Sequence, residues 1–410
     1  MIVTDLVKTN HGCETELSAR VRTTSPRQAD FTLWFRIPSE MAATQPCADP
    51  FLAGLLIPCL CIGEDLHIEA PVSPRLFDSI PYIQHLIRGW YPEFHNVLMT
   101  CSEKSDPVQL PNRPETACFF SAGVDSIYSV VKHQSEIDRL ILVHGFENPV
   151  HEQETAATTV RLVETIAGAL GKQVVEVKTN LRGAVFEHLI GQRRRYRDSF
   201  FGFCHQGSIL AAVGLCLQTG LSRIYIPATY TYDTLVPYGT HPSLDSLWST
   251  ETLSFIHDGC EASRLQKIKS IATEAPTFTG CLQVCEINHP GENNCCRCDK
   301  CVRTMIALRL CNVLNQVGTF HLPLDLQRVR QAGDVARWRS EYQELLAEAK
   351  RIGDNVVIDT LGYLLEERLS VEGLLELCKR LFGNEARYYA PCLFHRITGR
   401  RVKIWRTEKG

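Results

Sequence analysis

The stretch Phe119–Ser126, FFSAGVDS, decides the fold because it places the end of a strand, a loop of small residues and the start of a helix in succession. The apolar run Thr116–Phe120 predicts the strand, and Asp125–His133 carries apolar residues at the spacing of a helix with one buried face. Between them, Ala122 and Gly123 let backbone N–H groups approach an anion, and the N-terminus of the helix adds partial positive charge. This arrangement predicts a cradle for nucleotide phosphates.

The side chains of this loop extend the prediction. Ser121 and Ser126 offer hydroxyl groups to phosphate oxygens, and Asp125 is placed to orient the loop or to help hold Mg²⁺. The loop is not a Walker A motif, since GxxxxGK[ST] is absent and the turn contains no lysine. An ordinary strand, turn and helix with a Ser or Asp cap is the alternative interpretation of the same residues.

Outward from this loop, apolar strands alternate with helical segments. Strands are predicted at 140–146, 174–179 and 224–229, and helices at 155–171 and 208–220. The alternation predicts an α/β fold, with a parallel sheet and helices on both of its faces. Because ligands of such sheets bind at the carboxyl ends of the strands, functional side chains are expected in the segments that follow the strands.

The chain as a whole is predicted to divide into three regions. Residues 1–112 hold short alternating or apolar runs broken by Pro, Gly and Asp, and they predict a β-rich N-terminal domain with runs at 16–24, 31–38, 55–63 and 65–72. Residues 113–315 form the predicted nucleotide-binding core. Residues 316–410 predict a helical C-terminal region, with amphipathic helices at 334–353 and 361–383.

Composition and charge exclude some classes of partner. The 410 residues carry a formal net charge of −3, so no overall basic field favours a nucleic acid. Runs of about 18 apolar residues are absent and the N-terminus is acidic where a signal peptide is basic, so we expect a cytoplasmic protein without a membrane partner. Eighteen cysteines without a secretion signal predict metal ligands and buried thiols rather than a disulfide framework.

A cysteine cluster occupies the stretch from Cys281 to Thr304, CLQVCEINHPGENNCCRCDKCVRT. Two overlapping Cys-x-x-Cys steps aim three sulfurs at one point, and a fourth ligand must come from upstream, where Cys281 and His289 serve less naturally than Cys285. The predicted ligands are therefore Cys285, Cys295, Cys298 and Cys301. They predict a closed zinc site of structural type, although an iron–sulfur cluster also suits the spacing.

Titratable residues follow two of the predicted strands. His144 ends the strand at 140–146 and is placed to touch the adenosine or the nucleophile. After the strand at 224–229, Asp233, His241, Asp245 and Glu251 crowd one segment. We take Asp233 and His241, together with Asp125 and Ser126 of the loop, as the candidate catalytic residues. A polar surface connection is the alternative interpretation of that segment.

A Ser-x-Gly-x-Asp-Ser loop followed about a domain later by Cys…Cys-x-x-Cys-x-x-Cys and Val-Arg resembles the 7-cyano-7-deazaguanine synthases of queuosine biosynthesis, which are PP-loop ATPases of the adenine nucleotide alpha-hydrolase-like superfamily. The resemblance covers about residues 116–312. It implies that ATP and Mg²⁺ bind at the loop, that Zn²⁺ binds to the four cysteines, and that a deazaguanine carboxylate is adenylated, converted to an amide by ammonia and dehydrated to a nitrile. The ATP-binding residues that it implies are Ser121, Ala122, Gly123, Val124, Asp125 and Ser126.

The chain departs from the family in two places. Ala122 stands where the family has glycine, and the family's tyrosine-proline-aspartate-cysteine segment is not recognisable after the strand at 224–229. The additional terminal regions suggest a different or larger acceptor, such as an amine on a protein encoded in the same operon. Relatives in anti-phage operons imply such conjugation to a protein. The loop is also compatible with a tRNA sulfurtransferase, or with a nucleotide-binding subunit that lacks turnover.

Overall fold

A computed structural model describes residues 1–24, 28–43, 45–104, 106, 110–146, 153–191, 200–285, 292–329 and 338–365. Within these ranges, ten strands form one mixed sheet in the order β10-β9-β6-β7-β8-β3-β2-β1-β4-β5. The strands are β1 (Ile2–His11), β2 (Glu14–Thr23), β3 (Ala29–Pro38), β4 (Leu66–Ile68), β5 (Met99–Cys101), β6 (Glu115–Phe119), β7 (Arg139–His144), β8 (Gln173–Thr179), β9 (Leu221–Pro227) and β10 (Ser254–Asp258).

Helices alternate with the strands from β6 onward, and others lie among the N-terminal strands and after the last strand. They are α1 (Asp49–Ile62), α2 (Pro74–Trp90), α3 (Val124–Lys132), α4 (Gln153–Leu170), α5 (Leu181–Val185), α6 (Gln206–Cys216), α7 (Arg264–Glu274), α8 (Pro276–Thr279), α9 (Asp299–Leu310), α10 (Leu326–Val329) and α11 (Arg339–Ile352). Residues 355–365 are also helical. Among the described residues, no helix combines the length and the apolar character needed to cross a membrane.

The strands β6 to β10 are parallel to their neighbours within this group, which confirms the α/β class and a mostly parallel sheet. The ends of each predicted strand and helix of this region lie within a few residues of those observed. The strand predicted at 116–120, for example, is β6 at Glu115–Phe119. The sequence did not predict β10. That the core is a PP-loop ATPase core remains a prediction.

The N-terminal strands continue the same sheet. β1, β2 and β3 pair antiparallel, and β3 then pairs antiparallel with β8 through Phe35 and Thr179. Leu33 and Phe35 belong to the same buried cluster as Val175 and Val177. The β-rich character predicted for the N-terminal residues is therefore visible in part, together with two helices.

The apolar run 55–63 was predicted as part of the β-rich region, and this prediction is wrong. The run forms the end of α1 and its C-cap, and all 14 residues of that helix are buried. A run that is apolar on every side gives no period by which a strand can be distinguished from a buried helix. Gly54 allows this helix to lie close to its neighbours, because a Cβ atom there would lie 2.9 Å from Leu181 Cδ2 and 3.6 Å from Ala212 Cβ.

Packing divides the chain into two compact units. The first comprises Met1–Cys295 with Gln316–His321, and the second comprises Cys296–Asn315 with Leu322–Gly410. The predicted boundaries at 112 and 315 remain predictions. In the second unit, α11 falls inside the helix predicted at 334–353, whereas most of the helix predicted at 361–383 lies outside the described residues.

A buried arginine organises the second unit. Arg303 on α9 is 2% exposed and is paired with Asp299 and Glu341, and its guanidinium lies 4.0 Å from the ring centroid of Trp338. Tyr342 donates to Asp299 Oδ1 at 2.5 Å. These contacts satisfy a charge that would be costly to bury alone, and they hold α11 against α9.

A glycine at the start of α6 fixes the loop that follows β9. Gly207 donates its N–H to Gly239 O at 3.0 Å, and a Cβ atom at position 207 would lie 2.1 Å from that oxygen. We expect Gly207→Ala to lower the free energy of unfolding by about 1–3 kcal/mol, because the backbone of either segment must shift. Urea unfolding of the purified variant measures this loss.

Gly89→Ala is the matched control for this variant. Gly89 lies in α2, and a Cβ atom there would meet nothing within 4 Å. Its replacement is expected to raise the free energy of unfolding by up to about 1 kcal/mol through helix propensity. Equal losses in both variants would contradict the close approach at Gly207.

Candidate functional site

The loop between β6 and α3 forms the predicted strand, turn and helix start. Ala122 is buried and has φ +58°, a left-handed conformation that costs a residue with a Cβ atom about 1–2 kcal/mol. Gly123 is the N-cap of α3. The left-handed turn explains why a glycine suits position 122, and it directs the chain back toward the helix N-terminus.

The two serines of the loop differ in their environments. Ser126 is 5% exposed, donates its hydroxyl to Gly123 O at 3.1 Å and accepts the Ser121 N–H at 3.4 Å. The Ser121 side chain is exposed. Ser126 therefore closes the turn, whereas Ser121 lies at the surface of the loop.

A buried lysine from α7 reaches the loop. Lys267 is 1% exposed and donates from Nζ to Asp125 Oδ1 at 2.9 Å and to Ala228 O at 2.6 Å. Arg264 Nη1 lies 3.5 Å from Asp125 Oδ2. The positive charge that the loop sequence lacks is thus supplied by another helix. Neither Arg264 nor Lys267 was predicted as a site residue. Their spacing of three residues did indicate that the two side chains lie on the same face of a helix.

The segment that leads into the cysteine cluster lies against this loop. Gln283 donates its N–H to Ala122 O at 2.9 Å. The next residue, Val284, donates to Asn294 Oδ1 at 2.8 Å, and the fully buried Asn294 returns a hydrogen bond from Nδ2 to Leu282 O at 2.8 Å. These bonds join the residues just before Cys285 to Asn294, which directly precedes Cys295, and to the loop.

The structure brings together the four predicted metal ligands. The sulfur atoms of Cys285, Cys295, Cys298 and Cys301 all lie within 4.8 Å of one another. A tetrahedral zinc ion with Zn–S distances of about 2.3 Å holds its sulfurs about 3.8 Å apart, so the cluster fits zinc. Cys298 is also the N-cap of α9, where its sulfur accepts the Cys301 N–H at 3.4 Å. His289, the less natural ligand, lies outside the described residues.

We expect purified protein to contain about one zinc ion per chain and Cys298→Ser to lose most of it, because a closed site needs all four thiolates. Elemental analysis of the dialysed protein measures this, and it also distinguishes zinc from iron. Cys281→Ser is the control, since Cys281 lies outside the cluster. Equal metal loss in the two variants, or an iron content without zinc, would contradict the predicted zinc site.

His144 lies at the end of β7, beside the loop strand β6. Its Nε2 lies 2.8 Å from Glu176 Oε2 on β8, and this hydrogen bond lowers the pKa of Glu176. His144 therefore lies on the strand next to β6, but its ring contacts β8, on the opposite side of β7.

Of the four titratable residues predicted after β9, the structure brings two together: Asp245 Oδ1 accepts the His241 N–H at 3.2 Å. Asp233 is exposed in the turn Tyr232–Thr234. His241 accepts the Ser243 N–H on Nδ1 at 3.1 Å, and burial lowers its pKa. Glu251 accepts the Ser73 hydroxyl at 2.8 Å and the Arg75 N–H at 2.7 Å, so it stabilises the start of α2. In the described part of the chain, no hydrogen bond joins Asp233 or Glu251 to His241 or Asp245.

Asp245 also pairs with a second histidine, His257, which was not among the predicted residues. Asp245 is fully buried, and its Oδ2 lies 2.7 Å from His257 Nδ1 on β10. Burial lowers the pKa of His257, but hydrogen bonds to Asp245 and Cys260 and the attraction of these groups outweigh it and raise the pKa to about 9. The missed strand β10 explains the omission, because His257 was not placed at the carboxyl end of a strand.

The raised pKa of His257 predicts a pH dependence of stability. The charged imidazole contributes its full stabilisation below the unfolded-state pKa of 6.5, and this is lost as the pH rises through about 9. The loss is at most about 3 kcal/mol. Urea unfolding between about pH 6 and about pH 10 measures it. In His257→Gln the decline over this range should be smaller by this amount, since buried thiols such as Cys118 and Cys216 still destabilise the fold at about pH 10. An unchanged decline would contradict the assignment.

Aromatic side chains line the loop after β9. The ring centroids of Tyr230 and Tyr238 lie 5.3 Å apart, and those of Phe203 and Tyr238 lie 5.7 Å apart, both pairs edge to face. Tyr91 donates its hydroxyl to Phe203 O at 2.8 Å. The segment thereby offers planar apolar faces beside polar backbone groups.

Comparison with models of known protein families, with curated proteins and with solved structures found no match to this chain.

Proposed function

We propose that this protein transfers AMP from ATP to a carboxylate, with release of pyrophosphate, and then joins the activated acid to ammonia or to an amine of a protein. One observation carries the proposal. The buried Lys267 ammonium holds Asp125 in the first turn of α3, directly after a loop of small residues that ends a parallel strand. A helix N-terminus with an adjacent buried cation is suited to a polyphosphate.

The chemistry requires positive charge at this position. A carboxylate cannot expel oxide at neutral pH, so its coupling to AMP supplies a leaving group. As the bond between the α- and β-phosphates breaks, negative charge grows on the departing pyrophosphate. The N–H groups at the start of α3 and the cations of Lys267 and Arg264 stabilise that charge. Magnesium bound with the ATP would supply further positive charge to the phosphates.

We propose a planar heterocyclic acid resembling 7-carboxy-7-deazaguanine as the substrate. The aromatic faces of Tyr230, Tyr238 and Phe203 support this choice, since a flat ring packs well against such faces. Tyr230 and Tyr238 lie in the segment after β9, and Phe203 precedes α6. β9 lies next to β6 and its loop. Carboxyl ends of neighbouring parallel strands meet at one edge of the sheet, which places the acid near the phosphates.

The cysteine cluster has a structural role in this proposal. Four thiolates fill the coordination of a zinc ion, which would leave no open position for water or substrate. The hydrogen bond from Gln283 to Ala122 connects the segment before Cys285 to the loop. Loss of the metal should therefore disturb nucleotide binding through the position of the loop.

The test is pyrophosphate and AMP formation from ATP and 7-carboxy-7-deazaguanine, with and without ammonia, followed by mass spectrometry of the product. We expect Lys267→Met to lower the rate of pyrophosphate release on the order of 10²-fold, because the growing charge loses a buried partner. Lys269→Met, two residues further along α7, is the control and should retain the wild-type rate.

Circular dichroism and the zinc content of each variant establish whether it is folded. AMP formation with an amide or nitrile product supports the proposal with ammonia as acceptor. AMP formation that consumes the acid without either product indicates a protein amine, as in the conjugating enzymes of anti-phage systems. Wild-type protein that forms no AMP with any heterocyclic acid would contradict the proposal and favour sulfur transfer or nucleotide binding without turnover.

A further inference from the structure

Helix α2 is held at both ends by the segment between β9 and β10. At its start, Glu251 accepts the Ser73 hydroxyl at 2.8 Å and the Arg75 N–H at 2.7 Å. At its end, the ring centroid of Trp90 lies 4.8 Å from that of His241, with the rings edge to face. The helix therefore has a fixed position against the segment that carries two of the aromatic faces proposed for the acid.

Tyr91, the C-cap residue of this helix, contacts both segments that carry those faces. Its N–H donates to Ile87 O at 2.8 Å, which fixes its backbone on α2. Its hydroxyl donates to Phe203 O at 2.8 Å and also to Pro237 O at 3.3 Å. Pro237 directly precedes Tyr238. One side chain thus binds the backbone at both members of the ring pair Phe203 and Tyr238.

The turn that carries Phe203 brings it close to Tyr238. Phe201–His205 form a single π-helical turn directly before α6, a conformation that is rare overall and frequent at functional sites. Gly239 donates its N–H to Gly202 O at 3.0 Å, and a Cβ atom at position 202 would lie 3.2 Å from Tyr238 Oη. The absence of that atom lets the Tyr238 ring stand edge to face against Phe203, with centroids 5.7 Å apart.

The rings of this site keep part of their surface accessible to a ligand. Phe203, Tyr230 and Tyr238 are all half-buried. A ligand that had to order such side chains on binding would lose affinity, because each immobilised side chain costs conformational entropy. A hydrogen bond that already fixes the backbone of two of them removes part of this cost before the ligand arrives.

We propose that Tyr91 is a positioning residue for the heterocyclic acid, because its hydroxyl holds Phe203 and Tyr238 in the arrangement against which the ring of the acid packs. The inference rests on the proposed function, since it concerns the acid site assigned there. It gives α2, which precedes the phosphate loop in the sequence, a part in binding the acid. Tyr91 touches neither the phosphate loop nor the reacting atoms in this proposal, so the affinity for ATP should not depend on it.

The first measurement is the rate of pyrophosphate release against the concentrations of 7-carboxy-7-deazaguanine and of ATP. We expect Tyr91→Phe to raise the KM for the acid roughly three- to tenfold, because two carbonyls lose their donor while the ring is kept. The kcat and the KM for ATP should change less than about twofold. An unchanged KM for the acid, or an equal rise in the KM for ATP, would overturn the inference.

Tyr82→Phe is the matched control. It removes a hydroxyl from a tyrosine on the same helix whose side chain is 68% exposed. This variant should retain the wild-type KM for the acid. Urea unfolding and the zinc content establish that both variants are folded.

A double-mutant cycle tests whether Tyr91 acts through the ring pair. Tyr238→Leu removes one of the two rings, and we expect it to raise the KM for the acid at least about tenfold. In that background, Tyr91→Phe should change the KM less than about twofold further, because the contact that it positions is already lost. Effects that multiply fully in the double variant would show independent action and contradict the positioning role.

Calorimetric titration of the acid without ATP separates this inference from the proposed function. Wild-type protein that binds the acid, with weaker binding by Tyr91→Phe but no pyrophosphate release, contradicts the adenylation and leaves the inference standing. Pyrophosphate release by both proteins with one KM for the acid overturns the inference and leaves the adenylation standing. Wild-type protein that neither binds the acid nor releases pyrophosphate contradicts both.

Discussion

The buried ammonium of Lys267 is the constraint on which the candidate site depends. A lysine that is 1% exposed must have its charge compensated, and here Asp125 and the carbonyl of Ala228 do so. The three partners come from α7, from the first turn of α3 and from the end of β9. One charge therefore fixes three elements around the loop after β6.

The sheet explains why these elements meet. Parallel strands place their carboxyl ends at one edge, so the loop after β6 and the segments after β9 and β10 converge without any sequence proximity. Gly207 and Gly239 allow α6 to lie directly against the segment after β9. The antiparallel strands β1 to β3 extend the sheet on the side of β8, away from this convergence. They add buried surface to the framework, not groups to the site.

The cysteines of this chain have different environments, which indicate different roles. Four have their sulfurs within 4.8 Å of one another, as a metal site requires. Others, such as Cys118 and Cys216, are surrounded by the core, and burial raises their pKa values. Because thiol chemistry follows its surroundings, a count of cysteines predicts none of these roles by itself.

The sequence by itself determined the features that depend on local order: the turn of small residues between β6 and α3, the alternation of strands and helices, and the spacing of Cys295, Cys298 and Cys301. Each is set by periodicity or by the reach of a short chain. The tertiary structure decided that the apolar run in α1 is a helix, that β3 joins β8, that Lys267 binds Asp125 and that His257 lies beside Asp245. These depend on which distant surfaces exclude water together, and no local pattern encodes that choice.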